Sequence, residues 1–439
     1  MRDLERIVGA EHVLAGRELE DASSSRGISG IARAIVRPGS AEEVRAVLAW
    51  CYSHDVALVP RGGGSGFSGG AVPVSQEEVV LELSRLDRVL QFDPGLWRIH
   101  VQAGLRTSHI QRIARESGLL YPPDPGAAEQ SQIGGNIATN AGGPHAFKYG
   151  VTGAWVTGLE AALPPGDLVR LGGPHRKDSA GYDLRGLLIG SEGTLGIVTA
   201  AWLRLIPAPS RRDVVCAFYA DSARGCAAVL SVLEAGVQAA ALEFLDAGAL
   251  AAAPRAGFPR AGFAVIAEAD APGVLADLLD ALGPGSLGVR EEDPAELWRW
   301  RDRVSIAVTA QRGGKLSEDI CVPVEQLEHA IEGTLEIAGR HGLQACSWGH
   351  AGDGNLHSTF LLGPGESANA AAHELFELAV QLGGTVSGEH GMGQVKLPLH
   401  LSEPERAANR ALKRALDPKG LLNPGKKRFS EGSGTRHSA

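Results

Sequence analysis

The stretch "PRGGGSGFSGGAVP", residues 60–73, constrains the fold of this 439-residue chain more than any other feature. Gly64, Gly66 and Gly69 match the spacing G-x-G-x-x-G, which in a nicotinamide-binding Rossmann turn is followed directly by a helix. Because Pro73 follows shortly afterwards, no helix is expected to begin here, and the Rossmann interpretation is disfavoured. Glycines at this density instead indicate a loop whose backbone N–H groups surround a diphosphate. A flexible linker is the alternative, and the β-branched runs on either side argue against it.

Two more stretches of glycine and small residues follow, "IGGNIATNAGGPHAFKYG" and "GSEGTLGIV". Between these loops, short β-branched runs alternate with helical patterns. One such pattern is "SAEEVRAVLAWCYSHD", in which Ser40 is a predicted N-cap with Glu43 three residues later. The alternation predicts an α/β or α+β domain up to about residue 208. Three such loops in one domain indicate a large nucleotide cofactor that lies extended across it.

The composition shifts toward alanine and leucine beyond about residue 210. Helices are predicted in "SARGCAAVLSVLEAG", "VLADLLDALG" and "VEQLEHAIEGTLEIAGRHG", with a strand at "AGFAVIAEA". A last helix in "EPERAANRALKRAL" should stop at Pro418 and Gly420. Since the chain is too long for one compact core, we expect two or three domains.

Charge and cysteine usage exclude several classes of function. The net charge of −9 argues against nucleic acid as a partner, because no basic stripe is available to neutralise phosphates. The N-terminus is charged, and no apolar run approaches the roughly 20 residues of a membrane span, so a cytoplasmic protein without a transmembrane segment is expected. The five cysteines contain no C-x-x-C, which predicts neither an iron–sulfur cluster nor a disulfide framework.

The stretch "SWGHAGDGNLHSTF" predicts a hairpin with a histidine on either side of its loop. The loop Gly352-Asp353-Gly354-Asn355 is a strong turn signal between two possible strands. In such a hairpin His350 and His357 would face each other, with β-carbons roughly 4.5–5.5 Å apart. Two imidazoles at that separation can share one metal ion. Two ordinary hairpin histidines are the alternative, and a third ligand would decide between them.

The motifs, taken together, resemble those of a known enzyme family. "PRGGGSGFSGGAVP", "IGGNIATNAGGPHAFKYG", "GYDLRGLLIGSEGTLGIVT", "GHAGDGNLH", "SGEHGMG" and "DPKGLLNPGK" follow the order found in FAD-linked oxidases of the vanillyl-alcohol-oxidase superfamily. Within that superfamily the chain is most similar to the D-2-hydroxyacid dehydrogenase branch. The resemblance implies an α+β fold in which residues 1–208 form a PCMH-type FAD-binding domain of two α+β subdomains. It further implies a cap domain with an antiparallel sheet at 209–405, a helix returning to the first domain at 406–430, and a flexible tail at 431–439.

The resemblance also implies which residues bind FAD. They are Arg61, Gly62, Gly63, Gly64, Ser65, Gly66 and Ser68 around the pyrophosphate, Asp124, Gly134, Gly135, Asn136, Thr139 and Gly143 along the flavin and ribityl chain, Glu192, Gly196, Ile197 and Val198 on the isoalloxazine or adenine side, and Asn423 from the C-terminal segment. In covalently flavinylated relatives a histidine follows the first glycines of the diphosphate loop. Ser65 stands at that position here, so non-covalent FAD is implied.

Glu389, in "SGEHGMG", is the third candidate ligand beside His350 and His357. Two histidines and one carboxylate leave coordination positions open, as in a catalytic metal site. The resemblance implies a divalent metal, usually zinc, at these three residues, and His390 as the base. A metal-bound 2-hydroxyacid would lose its hydroxyl proton to His390 and a hydride to the flavin, giving a 2-oxoacid.

Two cations are candidates for binding the substrate carboxylate. Arg301, in "LWRWRDRVS", is preferred because its planar fork matches a carboxylate, and Lys315, in "GGKLSED", is the second. Asp353 is predicted to orient a ligand without binding the metal.

The expected partners are a small 2-hydroxyacid and an electron acceptor other than NAD. The acceptor could be an electron-transfer flavoprotein, a cytochrome, a quinone or an iron–sulfur subunit, and a homodimer is one option for assembly. Three rival interpretations stay open: a zinc hydrolase, an FAD-dependent oxidase of another alcohol, and a non-catalytic FAD-binding subunit of an oxidase complex.

Overall fold

The computed structural model describes residues 1–429. Its α-helices are α1 (Arg2–Val8), α2 (Ala41–Ser53), α3 (Thr107–Glu116), α4 (Ile133–Thr139), α5 (Ala146–Tyr149), α6 (Leu184–Leu188), α7 (Ser222–Glu234), α8 (Ala247–Ala252), α9 (Val274–Leu282), α10 (Pro294–Asp302), α11 (Val304–Arg312), α12 (Leu327–Arg340), α13 (Asn369–Gln381) and α14 (Glu403–Leu416). Its strands are β1 (Val13–Ala15), β2 (Glu18–Glu20), β3 (Ser29–Ile31), β4 (Ala34–Val36), β5 (Leu58–Arg61), β6 (Val79–Glu82), β7 (Val89–Asp93), β8 (Arg98–Gln102), β9 (Leu119–Leu120), β10 (Val156–Leu163), β11 (Asp167–Gly172), β12 (Ile197–Arg204), β13 (Ile206–Pro207), β14 (Asp213–Tyr219), β15 (Ala241–Asp246), β16 (Phe263–Ala269), β17 (Gly288–Glu292), β18 (Gly314–Cys321), β19 (Gln344–His350) and β20 (Asn355–Leu362).

The N-terminal domain is built on two sheets that share one hydrophobic core. The first sheet has the order β1-β4-β6-β5, and β6 runs parallel to both of its neighbours. The glycine-rich loop begins where β5 ends, at the carboxyl edge of this sheet. Helix α2, which connects β4 to β5, starts as predicted: the Glu43 backbone N–H donates to Ser40 Oγ at 3.1 Å.

The second sheet of this domain is antiparallel, with the order β11-β10-β12-β8-β7. Helix α4, which carries the second glycine stretch, packs against β12 through Ile133 and Ile137. The third glycine stretch leads directly into β12 at Ile197. The three glycine stretches lie next to one another: a Cβ on Gly62 would be 3.6 Å from Gly135 Cα, and a Cβ on Gly193 would be 3.0 Å from Pro60 Cγ.

The cap domain contains an antiparallel sheet of seven strands in the order β17-β14-β16-β15-β19-β20-β18. Alternate residues of β14 point to opposite faces: Val215 and Ala217 join the core under α7, α9, α12 and α13, whereas Val214 and Cys216 join the core under α8, α10 and α11. Helices therefore cover both faces, and the sheet strands are buried on both sides. The observed class is α+β, as predicted.

Helix α14 and the chain after it lie against the N-terminal domain. Lys413 Nζ donates to the carbonyl oxygens of Thr194, at 2.7 Å, and Leu422, at 2.9 Å. Leu422 in turn pairs with Leu58 of β5 and is fully buried in the core. The helix ends at Leu416, before the predicted stop at Pro418. The predicted flexible tail, 431–439, lies outside the described residues, and no helix within 1–429 is both long and apolar enough to cross a membrane.

Candidate active site

A cavity of about 930 Å³ lies between the N-terminal domain and the cap domain. The three glycine stretches form one wall. The opposite wall comes from α10, α11, β18, β19 and β20 of the cap domain, together with the loop around residue 390. Residues that are more than two hundred positions apart in sequence thus face the same space.

The glycine wall contains both tightly packed and open positions. A Cβ on Gly63 would lie 2.0 Å from the Gln130 carbonyl oxygen, so the loop can approach that backbone only as glycine. A Cβ on Gly135 would meet nothing within 4 Å and would project into the cavity. Arg61 donates to the Ala71 carbonyl at 3.1 Å and to the Glu20 carbonyl at 2.6 Å, which fixes the shape of the loop. The wall is therefore ordered by its own contacts and leaves bare backbone toward the cavity, a surface that suits a dinucleotide.

The predicted cofactor residues fall on this wall with one exception. Asn423 does not line the cavity, because its side-chain amide is used to join two loops. It donates to the Gly70 carbonyl at 2.9 Å and to the Glu192 carbonyl at 2.7 Å. The sequence motif placed Asn423 in the right region, but the residue orders the wall and does not reach the cofactor space.

The predicted metal ligands converge at the cap side of the same cavity. One ligand atom from each of His350, His357 and Glu389 lies within 4.8 Å of the others. Glu389 Oε1 is 3.4 Å from His350 Nε2, 3.6 Å from His357 Nε2 and 3.7 Å from His390 Nε2. Glu389 therefore lies where a third ligand beside the two histidines would have to lie.

The hairpin brings the two histidines together in a register that differs from the prediction. His350 pairs with Asn355, and His357 pairs with Trp348, so the histidines are diagonal neighbours and are not directly opposite. The turn is one 3₁₀ turn, Ala351–Asp353, closed by Gly354 in the left-handed region with φ 66°. Diagonal residues share a face of the sheet, and the two imidazole centroids are 5.3 Å apart.

Neighbouring carboxylates set the protonation of these ligands. Burial opposes charge on His350, but the carboxylates of Glu243 and Glu389 outweigh it and hold the pKa of His350 well above its usual value. For His357 burial dominates and lowers the pKa to about 3, so its ring is neutral and has a free lone pair. Burial also opposes charge on Glu389, yet His350 and the other two histidines lower its pKa to about 2. An ionised carboxylate beside a neutral imidazole suits a divalent cation.

Glu243 links the candidate metal site to the candidate substrate cation. One of its oxygens contacts His350 Nδ1, which leaves Nε2 facing Glu389. Its other oxygen forms a buried ion pair with Arg301. A carboxylate behind a ligating histidine fixes the ring orientation.

The second candidate cation, Lys315, has a different environment. Its Nζ donates to the Ser305 carbonyl at 2.7 Å and lies 5.4 Å from the centre of the Trp348 ring. Burial lowers the pKa of Lys315 to about 8. No carboxylate forms an ion pair with Lys315 within the described residues. Arg301 and Lys315 both line the cavity, as the sequence predicted, and Lys315 is the less neutralised of the two.

Sequence reasoning missed two buried carboxylates that border the site, Glu243 and Asp319. Both are fully buried within strands, in the runs "ALEFLD" and "LSEDIC". A charge inside an apolar strand costs free energy unless it is paired, and that cost is the signal that could have found them. Their partners come from distant segments, so the sequence alone did not reveal which groups they serve.

Comparison with known protein families matches both parts of the chain. Residues 32–172 match the model described as "FAD binding domain", and residues 208–427 match "FAD linked oxidases, C-terminal domain". Among curated proteins, the chain is 36% identical to the glycolate oxidase subunit GlcD of Bacillus subtilis (strain 168), over 94% of this chain and 92% of that protein. It is 36% identical to D-2-hydroxyglutarate dehydrogenase of Xanthomonas citri pv. viticola, over 90% of this chain and 88% of the relative. It is 35% identical to D-lactate dehydrogenase of Archaeoglobus fulgidus, over 89% of this chain and 90% of the relative.

Solved structures with low sequence identity share the fold. The structure of p-cresol methylhydroxylase with substrate bound superposes with a TM-score of 0.80 at 16% identity, covering 97% of this chain and 95% of that one. An alkyldihydroxyacetonephosphate synthase superposes with a TM-score of 0.76 at 19% identity, covering 97% and 84%. These likenesses show that the fold is shared and carry no statement about cofactor or substrate.

Proposed function

This chain belongs to the FAD-linked oxidases, and from that premise we propose that it oxidises a D-2-hydroxyacid to the corresponding 2-oxoacid, using FAD and a divalent metal ion. The relatives named above are called after glycolate, D-2-hydroxyglutarate and D-lactate, all of them 2-hydroxyacids. The observation that carries the proposal is one shared cavity. The glycine wall, the three ligand-type side chains, His390 and two cations all line it.

The glycine wall fits FAD, because its open positions face a cavity of about 930 Å³ and its loops offer backbone donors. When bound, FAD supplies the acceptor for a hydride from the substrate carbon. The four histidines that line the cavity are His145, His350, His357 and His390, and none of them lies in the diphosphate loop. We therefore propose that the cofactor is held without a covalent bond.

The donor set of His350, His357 and Glu389 fits a divalent ion such as zinc, since imidazole and carboxylate are the ligands zinc takes in catalytic sites, and the ion would replace the proton that the carboxylates favour on His350. Such an ion supplies Lewis acidity toward a hydroxyl oxygen. In this proposal the chain's own residues bind the substrate and move its proton. Arg301 and Lys315 attract the carboxylate, and the His390 imidazole accepts the hydroxyl proton.

The electrons are proposed to pass to a separate acceptor, because one relative is named a subunit of an oxidase and the chain offers no cysteine cluster for an internal relay. An electron-transfer flavoprotein, a cytochrome, a quinone or an iron–sulfur subunit would serve. A cytoplasmic location stays a prediction.

The proposal is tested by measuring dye reduction over a panel of D- and L-2-hydroxyacids, with metal content and flavin absorbance determined on the same samples. We expect turnover with D-acids, loss of turnover after chelation with the flavin still bound, and recovery on adding zinc. Glu389→Gln should behave like the chelated protein, because it removes a charged ligand. Glu377→Gln, which changes an exposed glutamate of α13, is the matched control.

Undiminished turnover by the metal-free protein would remove the metal from the proposal. Hydrolysis without flavin reduction would favour a zinc hydrolase instead. A preparation that binds FAD and turns over no alcohol of any class would indicate a non-catalytic flavin-binding subunit.

A further inference from the structure

We infer that Asp319 is the positioning residue that sets the candidate ligand Glu389 and the candidate base His390 in one arrangement. The inference rests on the proposed function, since it concerns the same site. Asp319 lies on β18, is completely buried, and does not line the cavity. It acts through the residues that do.

One oxygen of Asp319 accepts hydrogen bonds from the backbone of the loop that carries Glu389 and His390. Asp319 Oδ2 accepts hydrogen bonds from the backbone N–H groups of Glu389 and His390, each at 3.0 Å. It also accepts from Ser387 Oγ at 3.0 Å. Two consecutive N–H groups aimed at one anion fix the backbone at both residues. The side chains of Glu389 and His390 therefore extend into the cavity from fixed backbone positions.

The other oxygen ties the same carboxylate to the hairpin. Asp319 Oδ1 accepts from the side-chain amide of Asn355 at 2.7 Å, and Asn355 pairs with His350 across β19 and β20. On the other side, Asp319 itself is the register partner of His357. A single buried carboxylate therefore neighbours all three ligand positions and the base.

The loop lies so close to this carboxylate that it cannot shift without losing the bonds. A Cβ on Gly388 would be 2.3 Å from Asn355 Nδ2 and 3.0 Å from Asp319 Oδ1. Lys396, which is almost fully buried, supplies the counter-charge: its Nζ is 3.6 Å from Asp319 Oδ2 and donates to the Asp319 carbonyl at 2.8 Å. Lys396 comes from the same connecting segment, six residues after His390, so the loop is held at both ends.

The chain offers a matched control for a purely structural role. Asp246, on β15, is also buried and also accepts two backbone N–H groups, from Ala249 at 2.8 Å and from Ser347 at 2.6 Å. Within residues 1–429, no hydrogen bond or ion pair joins the Asp246 side chain to the loop at residues 387–394. Asp246→Asn therefore tests the loss of a buried carboxylate in the cap domain without touching the candidate base.

The experiment compares Asp319→Asn, Asp246→Asn and wild type as FAD-loaded proteins. An asparagine has nearly the same volume as an aspartate. Its N–H₂ group would have to face either the Asn355 amide or the loop N–H groups, all of which are donors. We expect zinc affinity, measured by competition with a chromogenic chelator, to fall about 10–100-fold in Asp319→Asn. At saturating zinc its kcat should remain lowered, because His390 is displaced as well. Asp246→Asn should match wild type in zinc affinity even if its thermal stability is lower.

The outcomes separate this inference from the proposed function. If wild type binds zinc and turns over, while Asp319→Asn equals wild type or Asp246→Asn in zinc affinity and in kcat, the positioning role is refuted and the function stands. Full recovery of kcat in excess zinc would also refute the joint role. If wild type binds no divalent ion, the metal site of the proposed function fails, and this inference fails with it.

Discussion

The ring of His390 has fewer polar contacts than the rings of His350 and His145, which also line the cavity. His350 is fixed by Glu243, and His145 by Asp124 at 2.5 Å and Glu268 at 3.1 Å. The His390 ring instead lies between two other rings: it is tilted by 33° against Phe67, with centroids 4.6 Å apart, and stacked on His357, with centroids 5.4 Å apart. Its Nε2 lies 3.7 Å from Glu389. An imidazole held by ring contacts beside the candidate metal ligands is in a suitable place for a general base.

Replacing His390 with alanine should remove proton abstraction and leave the cofactors in place. We expect kcat of His390→Ala to fall 10²–10⁴-fold, the usual contribution of a general base. Metal content and visible flavin absorbance should equal those of wild type, because Glu389 and the glycine wall are unchanged. His373→Ala, at an exposed position of α13, controls for loss of a histidine. A His390→Ala enzyme with wild-type kcat would assign the base to another group.

The sequence predicted which side chains meet in the cavity better than it predicted their neighbours. Short motifs with fixed spacing indicated the histidines, Glu389 and the two cations; these side chains line one cavity, and their roles stay predictions. The register between His350 and His357 was predicted wrongly, since the four-residue loop occupies positions 351–354 and not 352–355, so the partner of His350 is Asn355 and not His357. Glu243 and Asp319 were missed because their roles depend on strands that pair across the sheet and not along the chain.

At the scale of structural elements, the loop at residues 387–394 is held by hydrogen bonds from both domains. From the N-terminal domain, Ser68 Oγ donates to the carbonyl oxygens of His390, at 2.8 Å, and Gly391, at 3.0 Å. The Glu192 carboxylate accepts from the N–H groups of Met392, at 2.9 Å, and Gly393, at 2.8 Å. The candidate base is therefore placed by loops that also form the cofactor wall.

Gly393 is the point where this loop touches the N-terminal domain most closely. It has φ +48°, and a Cβ there would lie 2.0 Å from the Ser68 carbonyl oxygen. Gly393→Ala should therefore displace the loop and lower kcat by about 10-fold or more, since small misplacements of reacting groups are costly. Gly285→Ala provides the control, because Gly285 has φ +71° and nothing within 4 Å of its Cβ. It should show only the backbone cost of about 1–2 kcal/mol in stability. Equal kcat in the two variants would show that contact with Ser68 has no role in placing His390.

At the scale of the whole molecule, buried ion pairs join the two domains around the cavity. The Glu268 carboxylate of the cap domain accepts a hydrogen bond from His145 of the N-terminal domain at 3.1 Å. It also accepts two hydrogen bonds from Arg212, at 2.7 and 2.8 Å. Arg26 pairs with the buried Glu318, and Lys148 pairs with Asp270. The sequence predicted two or three domains from the length of the chain, with a change of composition beyond about residue 210. It could not predict these pairs, whose members are more than fifty and up to 292 positions apart.

The His145–Glu268 contact should make the stability of the molecule depend on pH in a defined direction. Burial disfavours the His145 cation, but Asp124 and Glu268 outweigh burial and raise its pKa from 6.5 to about 10. The protonated His145 ring therefore contributes its full stabilisation to the folded state below pH 6.5. This contribution is lost as the pH rises through about 10. Burial likewise opposes charge on Glu268, yet His145 and Arg212 lower its pKa from 4.5 to about 2, so its contribution is present above pH 4.5 and lost as the pH falls toward 2.

The contact is therefore strongest between pH 4.5 and 6.5, and His145→Gln should reveal it. Near pH 6.5 the variant should lose about 1.5–3 kcal/mol of unfolding free energy, the range for a hydrogen bond between charged groups. Toward pH 10 the wild type loses the same contribution, so the difference in Tm between the two proteins should shrink. Thermal unfolding followed across this pH range measures the difference directly, with His175→Gln, at an exposed site beside Asp178, as the control. A Tm difference that stays constant from pH 6.5 to 10 would mean that His145 contributes by packing, and that its charge does not help hold the cap domain against the N-terminal domain.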